Sequence, residues 1–183
     1  MDVFSHGLWS AVIYKGANIK TKRSMKVWLA IIFGVFPDVF SFTPLFIRLF
    51  WGLVFGGLSF SDFPRPDATE PARPDTLFIF KATSFLYSFS HSLIAFIVIF
   101  GIISLIFRRP IWEMLAWLFH ILIDIPTHNY KFYPTPFLWP ISDFKFNGFL
   151  WSAPWFLILN YSALIIIFIL LRKKYHRHYE NFR

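Results

Sequence analysis

Residues 85–107 read FLYSFSHSLIAFIVIFGIISLIF, without one Lys, Arg, Asp or Glu. About 20 consecutive, mainly apolar residues carry a helix across the hydrocarbon of a bilayer, and this run meets that length. Residues 153–171, APWFLILNYSALIIIFILL, repeat the case. The composition agrees with both runs: 183 residues include 26 Phe and 8 Trp, with a mean hydropathy of +0.54. The sequence therefore predicts an all-α, multi-pass transmembrane bundle of about five helices, forming one membrane-embedded domain over 1–183. The other three segments fall at 2–14, 27–46 and 111–125. Each of these is imperfect. The first has only about a dozen apolar residues, which suits partial insertion; the second is interrupted by Pro37-Asp38, and the third is short and polar-marked. The apolar stretch 49–60 reads as a re-entrant or interfacial piece.

The formal charge of +8 invites a nucleic-acid reading, but its distribution argues against one. Twelve of the eighteen basic residues fall in three places: Lys15, Lys20, Lys22, Arg23 and Lys26; Arg108 and Arg109; and Arg172, Lys173, Lys174, Arg177 and Arg183. These clusters lie between or after apolar segments, the pattern of cytoplasmic loops. No nucleic acid is expected as a partner. Placing all three clusters in the cytoplasm of a cell with an inner membrane puts the N-terminus outside and the C-terminus inside. Residues 61–83 become an outer polar loop, 126–152 an outer aromatic and Pro-rich loop, and 172–183 a basic cytoplasmic tail. The start of the chain has no basic region and no small-residue cleavage pattern, so it reads as retained. The absence of cysteine excludes thiolate ligands and Cys nucleophiles.

The chemistry sits in the imperfect segments. Residues 118–128 read LFHILIDIPTH. A spacing of four puts His120 and Asp124 on one helix face, and Pro126 is expected to end that helix and leave His128 just past it. A self-satisfying His/Asp pair would be the plain structural reading. In the third segment Ser84, Ser88, His91 and Ala95 form a small, polar stripe, which by itself suits close helix packing. Asp38 follows Pro37 with no basic neighbour closer than Lys26 or Arg48, and an intramembrane carboxylate without a cation is costly. His6 is the weakest candidate. Counted at about 1.5 Å per residue from the nearest basic edge, His6, Asp38, His91 and His120, with Asp124, converge on the middle and outer half of the bilayer. Three imidazoles and two carboxylates without sulfur suit Zn²⁺, Mn²⁺ or Fe²⁺, as one ion or as two bridged by a carboxylate. Glu113 is expected to pair with Arg109, and His176 and His178 to belong to a solvated basic tail.

The order of these motifs resembles a known family. The "HG" near the start, "FPD", "SHSLIAF", "HILID", Thr127 and then "PFLWP" are similar to the LexA-regulated inner-membrane family of predicted metal-dependent hydrolases, over about residues 6–140. The resemblance implies a metal site of His6, Asp38, His91, His120 and Asp124, and a distant likeness to zinc-dependent phospholipases C and single-strand nucleases. The chain departs from that family twice. A second acid two residues after the Pro-Asp is replaced by Phe40, and His-Arg-Gly before the second histidine motif is replaced by Tyr87, Ser88, Phe89 and Ser90. If the missing residues hold a second ion or a phosphate, a mononuclear site or a lost activity is implied.

The reading that results is a membrane metallohydrolase acting on a phosphoester or other ester, with His128 and Thr127 as catalytic candidates and a membrane lipid as the substrate class. Its rivals are a proton- or cation-coupled transporter using the same His/Asp set, and an inactive scaffold with a structural metal. Zinc is the expected ion. Substrate and oligomeric state are not legible in the sequence.

Overall fold

The computed structural model describes residues 1–21, 23–57, 59 and 78–180. Among them the regular structure is helical: α1 (Val3–Thr21), α2 (Val27–Phe55), α3 (Phe78–Ser90), α4 (Leu93–Ile106), α5 (Leu115–Thr127) and α6 (Pro154–Glu180), with a 3₁₀ turn at Trp112–Met114 leading into α5. The expected all-α membrane bundle is found. Two helices, Val27–Phe55 and Pro154–Lys174, are long and apolar enough to cross a membrane. A third crossing is available if α3 and α4, bent by 64° at their junction, act as one span. α1 and α5 do not reach that standard of length and apolarity.

Several boundaries differ from expectation for local reasons. α1 runs on to Thr21, because Gly16 is the only Gly or Pro between Tyr14 and Thr21. α2 passes through Pro37 and Pro44 and absorbs residues 49–55 of the stretch expected to be re-entrant. A proline removes one backbone donor and crowds the preceding turn. Here Ser41 and Thr43 bond back to the carbonyls of Pro37 and Val39, holding those turns. The helix stops where Gly56 donates to Gly52 O at 2.9 Å and Gly57 adopts φ +70°. α3 starts at Phe78, inside the expected outer loop, whose residues 61–77 lie outside the described residues.

The third apolar run is not one straight helix. It breaks after Ser90, and Ser92 starts α4 as its N-cap, accepting from the backbone N–H groups of Ile94 and Ala95 at 3.1 Å each. The 128–153 connection props the break: Leu93 N donates to Phe137 O at 3.0 Å, and Ser92 Oγ donates to Trp139 O. Depths counted along a straight helix therefore do not apply to His91. The expected stripe is corrected too, since Ser84 and Ser88 are only half-buried whereas Thr83, Ser90 and Ser92 are buried.

Pro126 does not end α5. Pro126 and Thr127 stay helical, and His128 is the C-cap, with its N–H on Asp124 O at 3.1 Å. Pro126 sits in the last turn, where it removes a single donor. The carbonyls exposed there are taken up by the following loop, through Phe149 N to Pro126 O at 2.9 Å and Gly148 N to His128 O at 2.8 Å. Helix ends need such partners when buried. Glu113 accepts from Lys26 N at 2.8 Å, capping the start of α2, and makes no ion pair with Arg109 among the described residues.

Polarity is distributed inside out. Leu105, Ile158, Ile165, Ile97 and Phe50 are each at least 60% exposed, as expected of faces turned to lipid. The apolar core is small, with Phe96, Met114, Trp117 and Ile121 at its centre. Packed beside it are buried Ser5, His6, Asp38, His91, His120, Asp124 and Thr127. α1 lies close against α2 at Gly34, where a Cβ would meet Ser10 Oγ at 2.0 Å and His6 O at 3.1 Å. That approach carries His6 to the centre of the molecule.

Candidate metal centre

Three parts of the fold deliver four ligand atoms to one point. Asp38 comes from the middle of α2, His91 from the α3–α4 break, and His120 and Asp124 from one face of α5. One ligand atom from each lies within 4.8 Å of the others, and all four residues are buried. His91 Nε2 is 3.1 Å from His120 Nε2, and 3.5 Å from both Asp38 Oδ1 and Asp124 Oδ2. His120 Nε2 is 3.2 Å from Asp124 Oδ2 and 3.7 Å from Asp38 Oδ1.

The outer partners fix the direction in which the imidazoles present their lone pairs. His120 Nδ1 lies 2.7 Å from Gly34 O, His91 Nδ1 3.1 Å from Tyr87 O, and His128 Nδ1 2.9 Å from Tyr133 O. A carbonyl only accepts, so each Nδ1 carries the proton and each Nε2 points a lone pair inward. Metal-ligating histidines are oriented in this way. Two inward lone pairs 3.1 Å apart, facing two carboxylates, repel one another unless a cation lies between them.

The fit to such a cation can be tested in two ways. A tetrahedral site with bonds of ~2.0–2.1 Å has ligand atoms about 3.3 Å apart, and the five spacings here run from 3.1 to 3.7 Å. The second test is hydrogen bonding. Asp38 Oδ2 and Asp124 Oδ2 are buried with no hydrogen-bond partner, and a buried polar atom left unpaired costs about 1–3 kcal/mol, more when charged. The residues present fit a divalent ion with nitrogen and oxygen ligands. Neither test selects zinc over manganese or iron.

Asp124 faces two ways. Its Oδ2 belongs to the four-atom group, while its Oδ1 faces His6 Nε2 at 2.9 Å, His128 Nε2 at 3.5 Å, Thr127 Oγ1 at 3.4 Å and the amino nitrogen of Met1. That nitrogen is also 2.9 Å from His128 Nε2 and 3.3 Å from Thr127 Oγ1. His6 lies stacked on His120, ring centroids 3.6 Å apart, and neither of its ring nitrogens has a hydrogen bond. The five candidate ligands, with Thr127 and His128, are thus brought to this centre, but His6 lies beside the four-atom group. Phe40, at the position of the family's second acid, packs against the rings of Phe36 and Phe89. Tyr87 stacks on His91 at 3.8 Å and donates its hydroxyl to Tyr133 O at 2.8 Å.

Sequence reasoning missed the network that seats α1. Asp2 accepts from Ser5 N and from the Tyr161 hydroxyl, each at 2.9 Å. Asn160 donates to Ser5 Oγ and accepts from Trp9 Nε1, each at 2.8 Å. The available signal was Asn160 itself, an amide in the middle of the apolar run 153–171.

Beside the centre a cavity of about 270 Å³ is lined by Asp38 and His128 on its polar side, and by Phe42, Leu45, Phe46 and Leu49 of α2 among its apolar walls. A larger cavity lies elsewhere, between α1 and α6. No curated protein and no solved structure matches the chain. The sequence profile of the YdjM inner membrane protein family matches residues 1–181, and the chain belongs to that family.

Proposed function

We propose that the chain is a multi-pass membrane metallohydrolase that cleaves a phosphoester or other ester of a membrane lipid. The observation that carries this reading is the convergence of two imidazole lone pairs and two carboxylates on one buried point, with two carboxylate oxygens left unpartnered. Asp38, His91, His120 and Asp124 would hold a divalent ion, which would supply Lewis acidity and make a water easier to deprotonate.

The chain's own residues do the rest. Asp38 lines the cavity and its Oδ2 carries no hydrogen bond, so this carboxylate is placed to accept a proton from an attacking water. His128 lines the same cavity with Nδ1–H held by Tyr133 O and Nε2 beside the Met1 amino nitrogen at 2.9 Å; Asp38 returns its proton to the leaving oxygen, and the His128 ring borders the reacting ester. Thr127 and His6 act through Asp124 Oδ1, orienting the carboxylate. The apolar α2 wall suits an amphiphile, with the ester at the polar end and a hydrocarbon chain along Phe42, Leu45 and Phe46. A phosphoester is the ester that the sequence resemblance implies.

Elemental analysis of detergent-purified protein, followed by assay on phospholipid substrates, tests this reading. Stoichiometric Zn, Mn or Fe with turnover that is lost in His120→Ala is expected. Metal without turnover would leave a structural site, and transport without metal would leave a proton or cation relay.

A further inference from the structure

A cavity of about 560 Å³ lies away from the metal centre, between the basic ends of α1 and α6. Its walls are apolar, formed by Ile19 of α1, Val27 at the start of α2, and Phe168 and Leu171 of α6. Its rim carries Lys15 and Arg172, both exposed. We infer that this cleft binds an anionic phospholipid, with the headgroup phosphate between Lys15 and Arg172 and an acyl chain along Phe168.

Three observations converge on that occupant. The first is charge: no carboxylate lies within ion-pair distance of Lys15 or Arg172 among the described residues, so both cations remain available. Exposed Lys20, Lys173 and Lys174 extend the positive field at the same end. The second is preorganisation. Lys15 Nζ sits 4.9 Å above the Phe168 ring, and such a contact holds an ammonium in place. Beneath it, Asn18 ties α1 to the approach to α2, donating to Met25 O at 2.8 Å and accepting from Met25 N at 3.0 Å.

The third is the nature of the walls. Phe168 is 46% exposed on a helix long and apolar enough to span, so hydrocarbon is the medium that covers it. A soluble anion would use the two cations and leave the apolar walls unfilled. Basic pockets between membrane helices recognise anionic headgroups in this manner. The cleft is independent of the metal centre: Lys15 lies nine residues along α1 from His6, about 13 Å.

The test uses the full chain purified in an uncharged detergent. Phosphatidylglycerol, phosphatidylcholine or glycerol phosphate is added, and retained lipid and melting temperature are measured. Two cations at an anionic headgroup predict about 30-fold preferential retention of phosphatidylglycerol over phosphatidylcholine, with a rise in melting temperature that glycerol phosphate does not produce. Lys15→Gln with Arg172→Gln abolishes the preference, and Ile19→Trp, which fills the cleft without changing charge, also lowers retention. Arg108→Gln with Arg109→Gln leaves it intact. The proposal is overturned if wild-type protein shows no preference, if the Lys15/Arg172 variant keeps it, or if the Arg108/Arg109 variant loses it equally. An equal response to glycerol phosphate would assign the site to a soluble anion and overturn the lipid.

Discussion

Asp124 is the residue through which the two halves of the centre communicate. One carboxylate oxygen faces His91 and His120, the other faces His6 and His128. Replacing it by Asn keeps the shape and removes the charge that a divalent ion requires. Asp124→Asn is expected to lower bound metal at least tenfold and to abolish any rise in melting temperature on metal addition, read by elemental analysis and thermal scans. The carbonyls behind the imidazoles make a second prediction. Tyr87 packs flat on His91, and its hydroxyl ties that helix end to Tyr133 O, the same carbonyl that holds His128. Tyr87→Leu removes both the ring support and the tie, and a loss of about 10–100-fold in metal affinity is expected, the range seen when outer partners are removed. Competition with a chelator of known affinity measures it. Unchanged affinity would show that the backbone alone orients His91.

At the scale of elements, close approach governs which helices can meet. Ala at position 34 places a methyl group against Ser10 and the His6 carbonyl on α1. Overpacking of this kind costs about 1–3 kcal/mol, so Gly34→Ala is expected to destabilise the protein and to shift His6. Gly101→Ala provides the control, because nothing lies within 4 Å of its added methyl; it is expected to be neutral or mildly stabilising. Thermal unfolding of both in the same detergent makes the comparison. These contacts also explain what was legible in the sequence. His120 and Asp124 were readable as a pair because their spacing of four is a local property of one helix. Asp38 and His91 were readable because polar groups stand out in apolar runs. The His91 break was not readable, since it depends on Phe137 and Trp139 from a loop more than forty residues later. Continuation of α5 through Pro126 likewise depends on Gly148 and Phe149. Hydropathy locates an apolar run, whereas its bends are set by distant backbone partners.

For the whole molecule, the relation that sets the direction of access is between the bundle and the two sides of the membrane. α2 and α6 are long and apolar enough to cross, and the bent α3–α4 pair makes a third candidate. α5 is only 13 residues long, about 20 Å at 1.5 Å per residue, short of a ~30 Å hydrocarbon core. Its polar contents are nevertheless buried among α1, α2 and the α3–α4 break, which shield them from lipid. Lys15, Lys20, Arg108, Arg109 and Arg172 all flank apolar helices, and basic residues near helix ends set orientation. The expected topology places these residues in the cytoplasm and position 67 on the opposite side. Reporter tags after Arg183, between α1 and α2, and at position 67 measure it directly. A cytoplasmic signal from the first two and an external one from the third would open the metal centre's cavity towards the outer leaflet, since α2 runs from the basic α1–α2 connection past Asp38 towards its wall at Phe42 and Leu45. A cytoplasmic signal at position 67 would be incompatible with the expected path through α2, and the outward opening of the cavity would then have to be redrawn.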